Sequence, residues 1–217
     1  MKTITFVRHA ESISNAGGVT MPHDAIQLSD LGHQQAKMLA TLINVVPAII
    51  LVSSMARTHQ TAAPFSERFS MRPKVHPGLN EFSVIDPSLI AGLVGAQRKP
   101  FVKAYWDDAD PNRRLGVNAD TFAEFDARVG SFLDEMDSLP DSTLIFGHGI
   151  WFGLLFWRLL GYSVSDADSM RSFRRFQIGF PMPNCAVFTL VHIEGKLWSV
   201  QANTEISSRI ATTSYRR

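Results

Sequence analysis

The chain has 217 residues, 45% of them hydrophobic and 19% charged, with a formal net charge of +1 at pH 7. That length and apolar share suffice for one sizeable core, no linker or repeat divides the sequence, and the charge balance offers no general affinity for nucleic acid or an anionic membrane. A single cysteine, Cys185, excludes an internal disulfide, and the apolar runs are too short or too charged for a leader or a membrane span; the expectation is one cytoplasmic domain over 1–217.

In chain order, "TITFV" (3–7) reads as a strand that runs into "RHAESISN". Ser29 can cap a helix over "DLGHQQAKMLATLINVV", whose Leu31, Leu39, Leu42 and Ile43 recur at helical spacing. "AIILVSS" (48–54) is a second strand, and it hands over to the helical "MARTHQTAAPFSERF". The polar stretch "AQRKPFVKAYWDDADPNRRLG" reads as a loop, and its Arg98, Lys99, Lys103, Arg113 and Arg114 are either a solvated face or contacts for a second anionic group. Tyr105 and Trp106 either pack that loop or line a pocket. Thr121 and Glu124 form a capping box ahead of a core-facing stripe of Phe122, Phe125, Val129, Phe132, Leu133 and Met136. "STLIFGHG" (142–149) is a third strand, followed by the helical "IWFGLLFWRLLG". "MRSFRRFQ", with Arg171, Arg174 and Arg175, carries the same two readings as the earlier basic stretch. "CAVFTLVHI" and "KLWSVQ" flank Glu194 and Gly195 as a hairpin at a sheet edge. Near-continuous apolar strands alternating with helices predict a mostly parallel sheet covered on both faces.

In such a sheet, ligands bind beyond the carboxyl ends of the strands. Arg8 and His9, Arg57, and His148 all fall at strand-to-helix handovers, so topology should gather two arginines and two histidines at one edge. Taken singly, an arginine there reads as a surface residue and His148 as a turn histidine; together they point to a shared site. Helix N-termini add N–H groups and positive dipole ends, and arginine forks match the paired oxygens of phosphate. The seven histidines show no metal-ligand spacing, and no GxxxxGK[ST] or GxGxxG turn is present, so neither metal nor cofactor is expected.

Five blocks resemble the histidine phosphatase superfamily, the phosphoglycerate mutase-like family. "FVRHAESISN" is similar to its RHGE-type signature, with Ala10 where glycine is commoner. "IQLSDLGHQQA" resembles "PLTxxGxxQA", "SSMARTHQTA" resembles "SPLxRAxQTA", "LNEF" matches the acidic position, and "FGHGIWFGLL" matches "SHGGxIRxL". The resemblance implies a three-layer α/β/α sandwich of phosphoglycerate mutase-like type, with a substrate-covering insertion around 82–120. It implies His9 as nucleophile, Arg8, Arg57 and His148 as the phosphate pocket, Glu81 as proton donor, and Asn15 and Gly149 as further substrate contacts. Read alone, Glu81 is a surface loop carboxylate. Where many relatives carry "GES", this chain reads "GVNADTF". The implied activity is metal-independent phosphomonoester hydrolysis of the histidine acid phosphatase type, through a phosphohistidine, on a small phosphorylated metabolite or phosphoprotein. A phosphoglycerate-type mutase and a non-catalytic phospho-ligand-binding protein are the alternatives; a homodimer is left open. For neutral His9 to attack phosphorus, its other ring nitrogen must be held as a donor, by a backbone carbonyl in the expected arrangement.

Overall fold

Apolar strands with alternating destinations build the molecule. The computed structural model describes residues 2–180, 182–195 and 197–214. Within them lie β1 (Thr3–Arg8), α1 (Asp30–Leu42), β2 (Ile49–Val52), α2 (Ala56–Phe69), β3 (Lys74–Val75), α3 (Gly95–Asp108), α4 (Phe122–Glu135), β4 (Thr143–Gly147), α5 (Gly149–Leu159), α6 (Ala167–Gly179), β5 (Val187–Glu194), β6 (Leu197–Ala202) and α7 (Thr204–Ser214). The six-stranded sheet has the order β3-β2-β4-β1-β5-β6. β1 to β4 run parallel, while β5 is antiparallel to β1 and β6 to β5, which makes the predicted hairpin the sheet edge.

The pleat sends neighbouring side chains to opposite faces. Ile4, Phe6, Leu51 and Ile145 join one core with the α4 residues Phe122, Phe125, Val129 and Phe132 and the α5 residues Trp151 and Phe152. Val7, Ile50, Val52, Leu144 and Phe146 join a second core with Leu39 of α1, Phe65 of α2 and Ile206 of α7. Two cores separated by one sheet make the three-layer sandwich. Thr121 and Glu124 form the predicted capping box, and Ser29 Oγ accepts from Gly32 N at 3.0 Å to cap α1.

Three expectations change. α1 stops at Leu42 rather than running through Val46, because Arg68 of α2 donates to the Ala40 and Ile43 carbonyls and satisfies the helix end; Val45 and Val46 are exposed. The polar stretch expected as a loop is largely α3. Its apolar residues form no stripe and Pro100 lies inside it, so neither periodicity nor propensity marked it. "MRSFRRFQ" lies on α6, capped by Asp166.

Lys103, Arg113, Arg114, Arg171 and Arg174 are engaged within the fold. Lys103 pairs with Asp107 at 2.5 Å, Arg113 with Asp108 at 2.5 Å, Arg171 with Asp168 at 3.1 Å, and Arg114 with Glu124. Arg174 lies 4.6 Å over the Trp106 ring. Tyr105 and Trp106 are buried against Phe82. Among the described residues, no helix is long and apolar enough to cross a membrane.

Candidate active site

Sheet register assembles the site. Arg8 is the last residue of β1 and pairs with Gly147 at the end of β4, and the following His9 N–H donates to the Gly147 carbonyl at 2.9 Å. β2 lies on the other side of β4, so its handover to α2 brings Arg57 to the same edge. His9 is 4% exposed, and its Nδ1 lies 2.7 Å from the Ala10 carbonyl oxygen. A carbonyl only accepts, so Nδ1 carries the proton and Nε2 carries the lone pair. Arg57 Nε–H donates to Nε2 at 3.3 Å. Burial, then Arg57, then Arg8 hold the ring's pKa well below its usual value, outweighing the Ala10 carbonyl. The imidazole is neutral and its lone pair is oriented, as the sequence reading required.

Arg57 is 7% exposed; Nη1 donates to the His23 carbonyl at 2.8 Å, and burial holds its pKa down to about 10, so it stays cationic at neutral pH. Arg8 donates through Nη1 to the Met182 carbonyl, while its buried Nε has no protein partner. Gly149 makes room for this guanidinium: a Cβ there would lie 3.3 Å from Arg8 Nε. His148 is fully buried and stands edge-on to His9, ring centroids 5.2 Å apart. Its Nε2 meets Ser53 Oγ at 2.8 Å, and its Nδ1 is buried without a partner.

Glu81 departs from the simple picture of a loop carboxylate. Its Oε1 accepts from Phe82 N and Trp151 N, both at 2.9 Å, and its Oε2 accepts from Ile150 N at 3.0 Å. Two first-turn N–H groups of α5, those of Ile150 and Trp151, expected to be free for a ligand anion, are therefore taken by a side chain of the protein itself. Oε2, with one donor against two on Oε1, is the oxygen better able to carry a proton. Burial raises the Glu81 pKa despite these bonds and the nearby arginines.

Arg8, His9, Asn15, Arg57, Glu81 and Gly149 line a cavity of about 290 Å³. His148 is not in that wall; it backs His9. A larger cavity of about 600 Å³ shares His23 and Glu81 with the first. Asn15 Oδ1 accepts from Ser12 N at 3.2 Å, Ser12 Oγ at 2.9 Å and Asn184 Nδ2 at 3.1 Å, which fixes the amide's orientation. Asn184 Nδ2 also donates to the His9 carbonyl at 3.1 Å. Sequence reading gave no role to Asn184, a short polar loop residue with no periodicity or motif to mark it, or to Ser53, which opens the "SSMARTHQTA" block. Among the described residues, no three His, Cys, Asp or Glu side chains group as a metal site.

The loop after His9 is held by α1. Ser29 N donates to the Glu11 carbonyl at 3.0 Å and Ser29 Oγ to Glu11 Oε1 at 2.6 Å, while a Cβ on Gly32 would overlap that same carbonyl oxygen. Gly32→Ala must push α1 off the loop. It should lower stability by about 1–3 kcal/mol in urea melts and lower turnover beyond what the loss of folded protein explains.

The sequence matches the family model described as histidine phosphatase superfamily (branch 1) over residues 4–204. It is 29% identical over 157 residues to an adenosylcobalamin/alpha-ribazole phosphatase of Salmonella typhimurium, covering 71% of this chain and 77% of that protein. It is 24% identical over 216 residues to a protein of Erwinia tasmaniensis named "probable phosphoglycerate mutase GpmB", covering 95% and 94%. The fold is similar to the alpha-ribazole phosphatase structure from Shigella flexneri, with a TM-score of 0.71, 22% identity and coverage of 92% and 95%.

Proposed function

Because this chain belongs to the histidine phosphatase superfamily, we propose that it hydrolyses phosphomonoesters through a phosphohistidine formed on His9. The phosphoryl group occupies the 290 Å³ cavity, its oxygens met by Arg8, Arg57 and the Asn15 amide. His9 Nε2 attacks phosphorus in line, the N–P bond forms as the P–O bond to the alcohol breaks, and the Glu81 Oε2 proton passes to the departing oxygen. Water then attacks the phosphohistidine. Its proton goes to Glu81, the N–P bond breaks, and inorganic phosphate leaves with His9 neutral again. His148, behind His9 and tied to Ser53, holds the ring in place.

The observation that carries this reading is the position of Glu81 in the wall shared by both cavities. The bond to be broken would lie at that boundary, with phosphate on one side and alcohol on the other. The segment 82–120 then covers the alcohol side, since Asp86, Ser88, Ala91, Asn118 and Asp120 come from it. Inorganic phosphate release from a panel of monoesters tests the proposal, and an inert enzyme across alkyl and aryl esters would overturn it.

The arginine pair supplies the positive charge that a metal would otherwise bring, so hydrolysis is metal-independent. Turnover should survive exhaustive chelation, and vanadate should inhibit by filling the small cavity. Loss of activity with EDTA, restored by magnesium or zinc, contradicts this. The likeness to the Erwinia protein along nearly the whole chain favours a mutase as the second reading; 3-phosphoglycerate with a bisphosphate primer should give an isomer under the mutase reading and no isomer under hydrolysis. The buried thiol of Cys185 is compatible with a reducing, cytoplasmic setting.

A further inference from the structure

The 600 Å³ cavity is where the alcohol of the substrate lies if the phosphatase reading holds, and the following inference rests on that reading. Its wall is unusual in charge. Asp24, Asp86 and Asp120 line it beside Glu81, and among the described residues Arg128 is its only arginine or lysine. Arg128 is already committed: Nη1 and Nη2 donate to Asp120 Oδ1 and Oδ2 at 3.2 and 2.8 Å, and Nε is sealed from solvent. His23 adds no cation, because burial and Arg57 hold its pKa below the usual value.

Asp86 and Asp24 are not similarly neutralised. Asp86 Oδ1 accepts from Ser88 N at 2.9 Å and Ser88 Oγ at 2.8 Å, and Oδ2 from Asn118 N at 2.8 Å and Asn118 Nδ2 at 3.1 Å. All four donors are neutral, and they stabilise the ionised form without cancelling its charge. Asp24 stands exposed at the rim. Arg98, near this edge but outside the wall, spends Nη1 on the Gly18 and Leu93 carbonyls and Thr20 Oγ1, and Nη2 on Ser14 Oγ. A second phosphate or carboxylate on the alcohol would be desolvated among like charges with no fork to receive it. An ammonium or hydroxyl group meets no such penalty.

We propose that the substrate's alcohol carries no second acidic group, and that this cavity prefers an amine-bearing alcohol to a neutral one and a neutral one to a carboxylated one. The rejection is built in as repulsion rather than as a dedicated contact.

Three phosphomonoesters of matched size test it: 2-aminoethyl phosphate, 2-hydroxyethyl phosphate and phosphoglycolate. Their kcat/KM values should fall in that order, the first exceeding the last by roughly 10- to 100-fold at low salt. p-Nitrophenyl phosphate separates the two readings. No phosphate release from any of the four overturns the phosphatase reading, and the inference with it; turnover of the aryl ester with phosphoglycolate equal to or above 2-aminoethyl phosphate overturns the charge rule alone. Asp120→Asn keeps an acceptor for Ser83 N, which now donates to Oδ2 at 3.0 Å, but strips Arg128 of its counter-charge. The ratio of phosphoglycolate to 2-aminoethyl phosphate turnover should then rise several-fold. Ala91→Lys, at an exposed position of the same wall, should shift the ratio in the same direction if the first variant folds poorly. An unmoved ratio in a folded variant that still cleaves the aryl ester counts against the proposal.

Discussion

His9→Ala should eliminate turnover, by on the order of 10⁴-fold or more, and with it the covalent label that brief exposure to a labelled phosphomonoester leaves on the wild-type protein. The reason is geometric. Ala10 holds the Nδ1 proton at 2.7 Å, so Nε2 alone can attack. His148 cannot substitute, because it stands outside the cavity wall with Nε2 engaged by Ser53 at 2.8 Å. The label should be acid-labile and alkali-stable, as a phosphoramidate is. Near wild-type turnover in His9→Ala would refute the nucleophile assignment. The pH profile gives a second readout. Since burial and two arginines lower the His9 pKa, the ring keeps its lone pair as pH falls through 6.5, the ordinary value. The acid limb of kcat/KM should therefore lie below that pH, and a limb at or above it would contradict the electrostatic account.

Glu81→Gln should divide substrates by leaving group. An alkoxide cannot depart without a proton, so alkyl phosphates should lose roughly 10²- to 10⁴-fold. A nitrophenolate departs as an anion, so phosphorylation by p-nitrophenyl phosphate should lose far less; slow water attack would follow a burst of nitrophenol. Burial raises the wild-type carboxyl above its ordinary value of 4.5, which keeps the acid form present at higher pH. The alkaline limb that this group contributes should vanish in the variant. Equal losses of phosphorylation rate for both ester types would reduce Glu81 to a cap on α5. The carboxylates that could replace it are poorly suited. Asp86 is held below the usual carboxylate range by Asn118 and then Ser88, and Glu11 Oε1 accepts from Ser29 Oγ at 2.6 Å.

Much of this site was legible before folding was considered. Strand-to-helix handovers can be found by local hydrophobic pattern, and a parallel sheet puts every such handover at one edge; Arg8, His9, Arg57 and His148 followed from that rule. The need for a carbonyl on the second ring nitrogen of His9 followed from imidazole chemistry, although not which carbonyl. α3 was illegible for the converse reason. Its residues carry no periodic stripe, and what holds Tyr105 and Trp106 inside is packing against Phe82, Phe122 and Phe173, which are distant in sequence.

What the sequence by itself determined, then, is the layered architecture and the identity of the basic and imidazole groups at its edge, because those depend on short-range periodicity and on residue chemistry. Tertiary structure alone decided their states and divisions of labour. Desolvation and neighbouring charge depend on distances across the fold, and these make His9 neutral and raise the Glu81 pKa. Hydrogen-bond competition is equally non-local: Glu81 reaches across 69 and 70 positions to take the Ile150 and Trp151 N–H groups of α5. A residue's type sets what it can do, while the low dielectric and the partners around it set what it does.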